Sequence, residues 1–292
     1  MKRLSIALLA CLVPLSGFAQ DNPAAKAARE WRQQHERAIV DEFVELLKIP
    51  NIAADKPNIQ RNAELIAAML EKRGVPTRLL SVPGGNPIVY GEILTPGATR
   101  TYVFYAHYDG QPLDPKEWAS PPFEPTLRTR SLNEGGTVIP LPPAGTPFDP
   151  ESRLYGRATA DDKAPIIAIV TALDAIRAAG LKTKSNIKFA FEGEEEAGSQ
   201  NLEKTLAAHK DLLTADVWLM CDAPLHQTRR QSLIFGARGI AAMDITTYGP
   251  RNETHSGHYG NWAINPAMSL ARLLASMKDE SGRVLVKDFY KG

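Results

Sequence analysis

Thr101-Tyr102-Val103-Phe104-Tyr105-Ala106-His107-Tyr108-Asp109 is the stretch that decides how the chain is read. The Tyr-Val-Phe-Tyr run is dense in β-formers and predicts a strand over Thr101 to Ala106. That strand runs straight into an imidazole, with a carboxylate two positions later. Outward from it, strand-like runs occupy Thr77 to Val82, Ile88 to Leu94, Asn186 to Phe191 and Asp216 to Met220. Helical spacing fills the intervals. Residues 26 to 47 carry Ile39, Val40, Phe43, Leu46 and Leu47 on one stripe and stop at Pro50, and a second helix runs from about Ile59 to Arg73 and ends at Gly74. Pro165 to Ala179 places Ile166, Ile169, Val170, Leu173 and Ile176 on one face before Gly180, and a further helix lies near Asn201 to Ala208. This alternation implies an α/β fold with a mainly parallel sheet flanked by helices.

Two stretches break the pattern. Asp109 to about Pro150 is rich in Pro and Gly and has no clear period, so it reads as a long loop, and loops of that length tend to be functional. After Ser232 the character changes to a β-rich run from Leu233 to Tyr248, then a Gly/His loop. A helix follows, begun by Asn265-Pro266 and carrying Leu270, Leu273, Leu274 and Met277. The expected division is residues 1–19, a main domain over 20–232, and part of a smaller α+β domain over 233–292.

Residues 1–19 have the form of an export signal: Met1-Lys2-Arg3, an apolar run from Leu4 to Phe18, and Gly17-Phe18-Ala19 as the small-residue cleavage site. The run is shorter than the roughly 20 residues of a membrane span, and Pro14 interrupts it. A periplasmic or secreted protein without stable membrane insertion is expected, and lipid attachment at Cys11 is the weaker reading. Only Cys11 and Cys221 occur, so removal of the leader leaves no intramolecular disulfide. With 34 Lys+Arg against 33 Asp+Glu and a net charge of +1, there is no electrostatic case for nucleic acid.

Three clusters lie just past predicted strand ends: Ala106-His107-Tyr108-Asp109, Phe191-Glu192-Gly193-Glu194-Glu195-Glu196 and Met220-Cys221-Asp222. The carboxyl ends of the strands form the ligand crevice of an open α/β sheet, so residues far apart in sequence converge there. Asp161-Asp162 stands just before a helix start. Taken singly, each has a bland reading: an acidic turn, a helix cap, a structural histidine. Jointly, one imidazole among several carboxylates suits zinc, manganese or cobalt, since such crowded anions repel unless cations neutralise them. Asp109, two residues from His107, can take the other ring N–H and set the tautomer.

His107-Tyr108-Asp109-Gly110-Gln111-Pro112, Gly156-Arg157-Ala158-Thr159-Ala160-Asp161-Asp162-Lys163, Glu192-Gly193-Glu194-Glu195-Glu196-Ala197-Gly198-Ser199 and His255-Ser256-Gly257 together resemble a known metallopeptidase family. It contains carnosinase and cytosolic nonspecific dipeptidase, carboxypeptidase G, aminoacylase and succinyl-diaminopimelate desuccinylase. Trp118 with Pro122-Phe123, and Arg238-Gly239, fit the dipeptidase branch, and the resemblance runs from about residue 36 to the end. It implies a zinc-exopeptidase-like catalytic domain, a lid and dimerisation domain, two divalent ions, and a dipeptide or short-peptide substrate.

Position by position, the resemblance makes His107 and Asp222 ligands of one metal, Glu196 a ligand of the other, and Asp161 the bridge between them. Glu195 matches the general base that deprotonates the attacking water, with Asp109 beside His107 as a catalytic-site residue. His255 matches a histidine that, in a homodimer, reaches from the lid into the partner's site to stabilise the oxyanion. The Asp161–Asp162 bond matches a non-proline cis peptide. Ala158 and Ala164 depart from glycines usual in that loop, and Gly260-Asn261 from a Gly-Gly pair. The resemblance also implies a final histidine ligand beyond the lid, so the sequence reads as C-terminally truncated, and an inactive fragment is one alternative function. An N-acyl-amino-acid deacylase using the same metals is the other.

Overall fold

The computed structural model describes residues 22–226, 228–240 and 242–291; the expected leader at residues 1–19 lies outside them. The chain falls into two compact units that divide between Pro224 and Leu225. In the first unit, α1 (Pro23–Leu47) starts where the Asn22 side chain accepts the N–H of Ala24, with proline at the first helical position. α2 (Lys56–Glu71) is capped by Asp55 and turns Ile59, Ala63, Ile66 and Leu70 inward at helical spacing. β1 (Thr77–Leu80), β2 (Ile88–Ile93) and β3 (Thr101–His107) follow. The long loop carries a two-stranded ribbon of β4 (Thr126–Arg128) and β5 (Arg153–Tyr155). α3 (Ala164–Ala178), β6 (Asn186–Glu192), α4 (Leu202–Ala208), α5 (Lys210–Leu213) and β7 (Val217–Met220) complete the unit.

The central sheet has the order β1-β2-β6-β3-β7. β6, β3 and β7 run parallel, whereas β2 is antiparallel to β6 and β1 to β2. The sheet flanked by helices is as expected, and four of its five strands point the same way; β2 alone is reversed, which makes its two pairings antiparallel. The reason is local: β2 is joined to β1 by the short turn from Ser81 to Pro87 and to β3 by the short stretch from Leu94 to Arg100. Connections of that length reverse the chain direction, since a parallel neighbour needs a longer crossover. Helical crossovers connect the strands from β3 onward.

Alternation along each strand divides the core between the two faces of the sheet. Val89, Ala106, Phe189 and Phe191 meet Leu46 of α1, Ile59 to Leu70 of α2, and Ile166, Ile167 and Val170 of α3. Ile88, Tyr90, Val103 and Ala190 face the other way, against Leu202 and Leu206 of α4 and Leu213 of α5. Arg73, 7 % exposed, pairs with Glu42 at 2.8 Å and Asp174 at 2.6 Å, joining the end of α2 to α1 and α3.

The second unit holds α6 (Ser256–Tyr259), α7 (Pro266–Ser276) and one bridge between Lys278 and Val284. The expected β-rich run from Leu233 to Tyr248 is not a strand among the described residues. A strand persists only with a ladder partner and a face to bury. Here the described residues offer neither: none of this unit is buried, and Phe235 and Ile240 are each 96 % exposed. Among the described residues no helix is long and apolar enough to cross a membrane.

Phe189 is 1 % exposed, and its ring centroid lies 6.3 Å from that of Phe104 and 6.0 Å from that of Phe191. Phe189→Ala is expected to lower unfolding free energy by about 3–5 kcal/mol in urea denaturation, and a loss under about 1 kcal/mol would contradict this packing.

Candidate metal centre

The strand register assembles the site. His107 at the end of β3 stands opposite Glu192 at the end of β6, Tyr105 stands opposite Met220 of β7, and Cys221 N–H continues the ladder to the Tyr105 carbonyl at 2.8 Å. α3 leaves on one face of the sheet and α4 and α5 on the other, so the connections part at the carboxyl end of β3 and leave a crevice there. The three acidic clusters read from the sequence therefore meet at one rim.

His107 is 1 % exposed. Its Nδ1 faces two acceptors of Asp109, the carbonyl oxygen at 3.1 Å and Oδ1 at 3.4 Å, which holds a ring hydrogen on Nδ1 and turns Nε2 into the crevice. Around Nε2 stand Asp161 Oδ1 at 3.0 Å, Glu195 Oε2 at 3.8 Å and Asp222 Oδ2 at 3.8 Å. Two donor sets are compact enough to hold an ion, with their donor atoms within 4.8 Å of one another: His107, Asp162 and Asp222, and His107, Asp161 and Glu196. An imidazole nitrogen with carboxylate oxygens is the donor chemistry of zinc and manganese, so the residues present fit a divalent metal.

Asp109 is fully buried and serves both sides of the site. Besides steering His107, its Oδ1 and Oδ2 accept the backbone N–H groups of Glu195 and Glu196, each at 3.0 Å. Glu194, 7 % exposed, points away from the crevice and accepts Asn86 N–H at 3.1 Å and Asn201 N–H at 2.7 Å. Of three consecutive glutamates, one is thus an anchor and the next two are presented to the crevice. The turn before them is tight: a β-carbon on Gly193 would sit 2.5 Å from Cζ of the buried Tyr108 ring.

The Asp161–Asp162 peptide is cis, as the resemblance implied. Thr159–Lys163 forms a kinked turn in which neither aspartate has helical angles, and α3 starts directly after it. Ala158 before the turn lies at φ 61°, the left-handed region that suits glycine, whereas Ala164 at φ −60° is ordinary helix. Of the two glycine positions departed from, only Ala158 carries a conformational cost. Asp161 is exposed, while Asp162 is buried and accepts the His107 backbone N–H at 3.1 Å.

His107, Asp109, Asp161, Glu195, Glu196 and Asp222 are brought together in the first unit. His255 belongs to the second unit, where its Nδ1 accepts the Gly257 N–H at 3.1 Å and its ring packs on His258 at 4.8 Å. Sequence reasoning passed over Asp162 as a donor and Gln111, which donates from Nε2 to Glu196. It also passed over the buried pair in which Tyr105 donates to Glu192 at 2.6 Å. Strand alternation was the available signal for Tyr105, which shares a face with His107.

Charge crowding shifts the titrating groups. Burial raises the Asp162 carboxyl to about 8, opposed by His107 and reinforced by Asp222 and Asp161. Burial lowers His107, but Asp109, Asp162 and Asp222 outweigh it and bring the imidazole up to about 10. Glu195 is raised by burial, opposed by His107 and reinforced by Asp222, Glu196 and Asp109. In ion-free protein the folded state holds a proton on Asp162 that the unfolded chain releases near 3.8, so this group makes stability fall as pH rises from there toward 8. From about pH 4.5 to about pH 6.5, below the ordinary histidine range, the Tm of Asp162→Asn is expected to gain steadily on that of wild type in chelator-treated protein; parallel curves would refute the assignment.

Residues 103–231 match the model of peptidase family M20/M25/M40. The chain is 28 % identical over 266 residues to Cys-Gly metallodipeptidase dug1 of Schizosaccharomyces pombe, covering 84 % of this chain and 51 % of that one. It is 29 % identical over 251 residues to Beta-Ala-His dipeptidase of Homo sapiens, covering 84 % and 44 %. The chain thus spans about half the length of these relatives. Among solved structures, the M20 family metallo-carboxypeptidase Sso-CP2 from Sulfolobus solfataricus superposes with a TM-score of 0.61 at 28 % identity, covering 86 % of this chain and 52 % of that one. Human carnosine dipeptidase 1 shares the fold with a TM-score of 0.61 at 24 % identity, covering 91 % and 55 %. Over residues 103–231 the chain is thus similar to peptidase family M20/M25/M40, and the similarity to dipeptidases extends on both sides of that stretch.

Proposed function

We propose that the whole protein is a metal-dependent dipeptidase that hydrolyses the amide bond of dipeptides or short peptides. The observation that carries this reading is His107 Nε2, turned by Asp109 toward the carboxylates of Asp161, Glu195 and Asp222. The relatives named as Cys-Gly and Beta-Ala-His dipeptidases support dipeptides as the substrate class. His107, Asp161, Glu196 and Asp222 would hold two divalent ions, zinc first, with manganese or cobalt as substitutes. When bound, such ions polarise the scissile carbonyl and lower the pKa of water.

The rest of the chemistry falls to the chain's own side chains. Glu195 is half-buried beside Nε2, and the rise in its proton affinity suits a base that takes a proton from the attacking water at Oε2 and passes it to the leaving amine. Asp109 fixes the backbone of Glu195 and the tautomer of His107, so base and ligand are oriented by one carboxylate. The motif His255-Ser256-Gly257 supports a homodimer in which His255 stabilises the oxyanion of the partner's reaction. The exposed apolar side chains of the second unit, Phe235 and Ile240 among them, support an association through that unit. Export to the periplasm or exterior is supported by the charged, apolar and small-residue order of Met1 to Ala19.

Turnover of a dipeptide panel by the whole protein is expected to depend on added zinc or manganese and to disappear with a chelator. Glu195→Gln is expected to lower kcat by roughly 10²–10⁴-fold while zinc uptake persists. Unchanged turnover in that variant would remove Glu195 as the base. Cleavage of N-acyl amino acids in place of dipeptides would move the substrate class.

A further inference from the structure

Lys163 is wholly buried, and among the described residues no carboxylate lies within ion-pair distance of it. Its ammonium donates to two carbonyls at the end of α1, Leu46 O at 2.9 Å and Ile49 O at 3.3 Å. Carbonyls at a helix C-terminus lack intrahelical donors, and the last turn of α1 has no basic residue of its own, so a cation from another part of the chain completes it. The same short segment also holds the other side of the site. Asn51, wholly buried, donates from Nδ2 to the Tyr108 carbonyl at 2.8 Å, and its own carbonyl accepts the Gly110 N–H at 2.9 Å. Ile52 forms a parallel bridge with Gly110. Residues 46–52 are therefore tied on one side to the turn that carries Asp161 and Asp162, and on the other to the turn that carries His107 and Asp109.

We propose that Lys163 is a positioning residue for the metal centre: through the backbone of residues 46–52 it sets the spacing between the aspartate turn and His107. This rests on the metal reading above. Its carboxylates repel one another, so a turn released from Lys163 swings outward and the donor sets open, although every donor is still present. A purely stabilising lysine is available for comparison in the same unit. Lys188 is 9 % exposed and donates to Leu212 O at 2.5 Å and Thr214 O at 2.8 Å, at the end of α5.

The test is zinc affinity, by competition with a chromophoric chelator, and Tm without metal, both on the full chain. Lys163→Met is expected to weaken zinc binding by roughly ten- to a hundredfold, the range found when a residue that orients metal ligands is removed. Lys188→Met is expected to lower Tm and leave zinc affinity unchanged. Should Lys163→Met fail to fold, Asn51→Ser reads the other arm and is expected to weaken zinc binding in the same way. Equal affinity losses in Lys163→Met and Lys188→Met overturn the proposal, as does unchanged affinity in Lys163→Met or in Asn51→Ser. Wild-type protein that takes up no zinc overturns the metal reading itself and this role with it.

Discussion

A carboxylate with no access to water is stable only if fixed dipoles or charges answer it, and Asp109 is such a group. Its two oxygens accept the N–H groups of Glu195 and Glu196, and the ring of His107 lies against it. Three residues brought together by the sheet are thereby bound to one side chain. Loss of that carboxylate would free the imidazole to rotate and leave two backbone donors buried without partners, so the glutamate turn and the histidine would drift independently. The rest of the crevice geometry inherits its reference point from this contact.

Around that point, a surplus of negative charge is held close by scaffolding that carries almost no positive charge. Asp162 is tied to the His107 backbone, Glu194 to Asn86 and Asn201, and Glu192 to Tyr105. Each of these carboxylates faces away from the crevice or is pinned by a neutral donor. The remaining carboxylates, of Asp161, Glu195, Glu196 and Asp222, are more exposed and share the space near Nε2. The fold thus sorts one acidic population by burial, and Asp162 stands on both sides, pinned by the His107 N–H yet a member of one donor set.

Much of this was legible in the residues. The β-dense run ending at His107 and the apolar spacing of α1, α2 and α3 placed the sheet and its covering helices. The position of His107, Glu195, Glu196 and Asp222 just past strand ends foretold their convergence. What escaped was information carried by distant partners. Asp161 and Asp162 look alike in sequence, and only the His107 N–H, more than fifty positions away, makes one an acceptor and leaves the other exposed. Lys163 reads as an ordinary helix-start residue until the end of α1 is seen around it. The reversal of β2 depended on the length of the two connections that flank it, which alternation of strands and helices does not register. The run from Leu233 to Tyr248 has the composition of a strand, but composition does not supply a partner to pair with.

Gly193 shows how narrow the tolerance is where these demands meet. The Tyr108 ring, its hydroxyl donating to the Pro87 carbonyl at 2.5 Å, fills the place that the first carbon of any side chain would need. Position 193 is closed to nineteen of the twenty amino acids for a steric reason unrelated to charge. The phenol and the bare peptide lying over it act as a gauge block, and drift in the surrounding sequence must leave that thickness untouched.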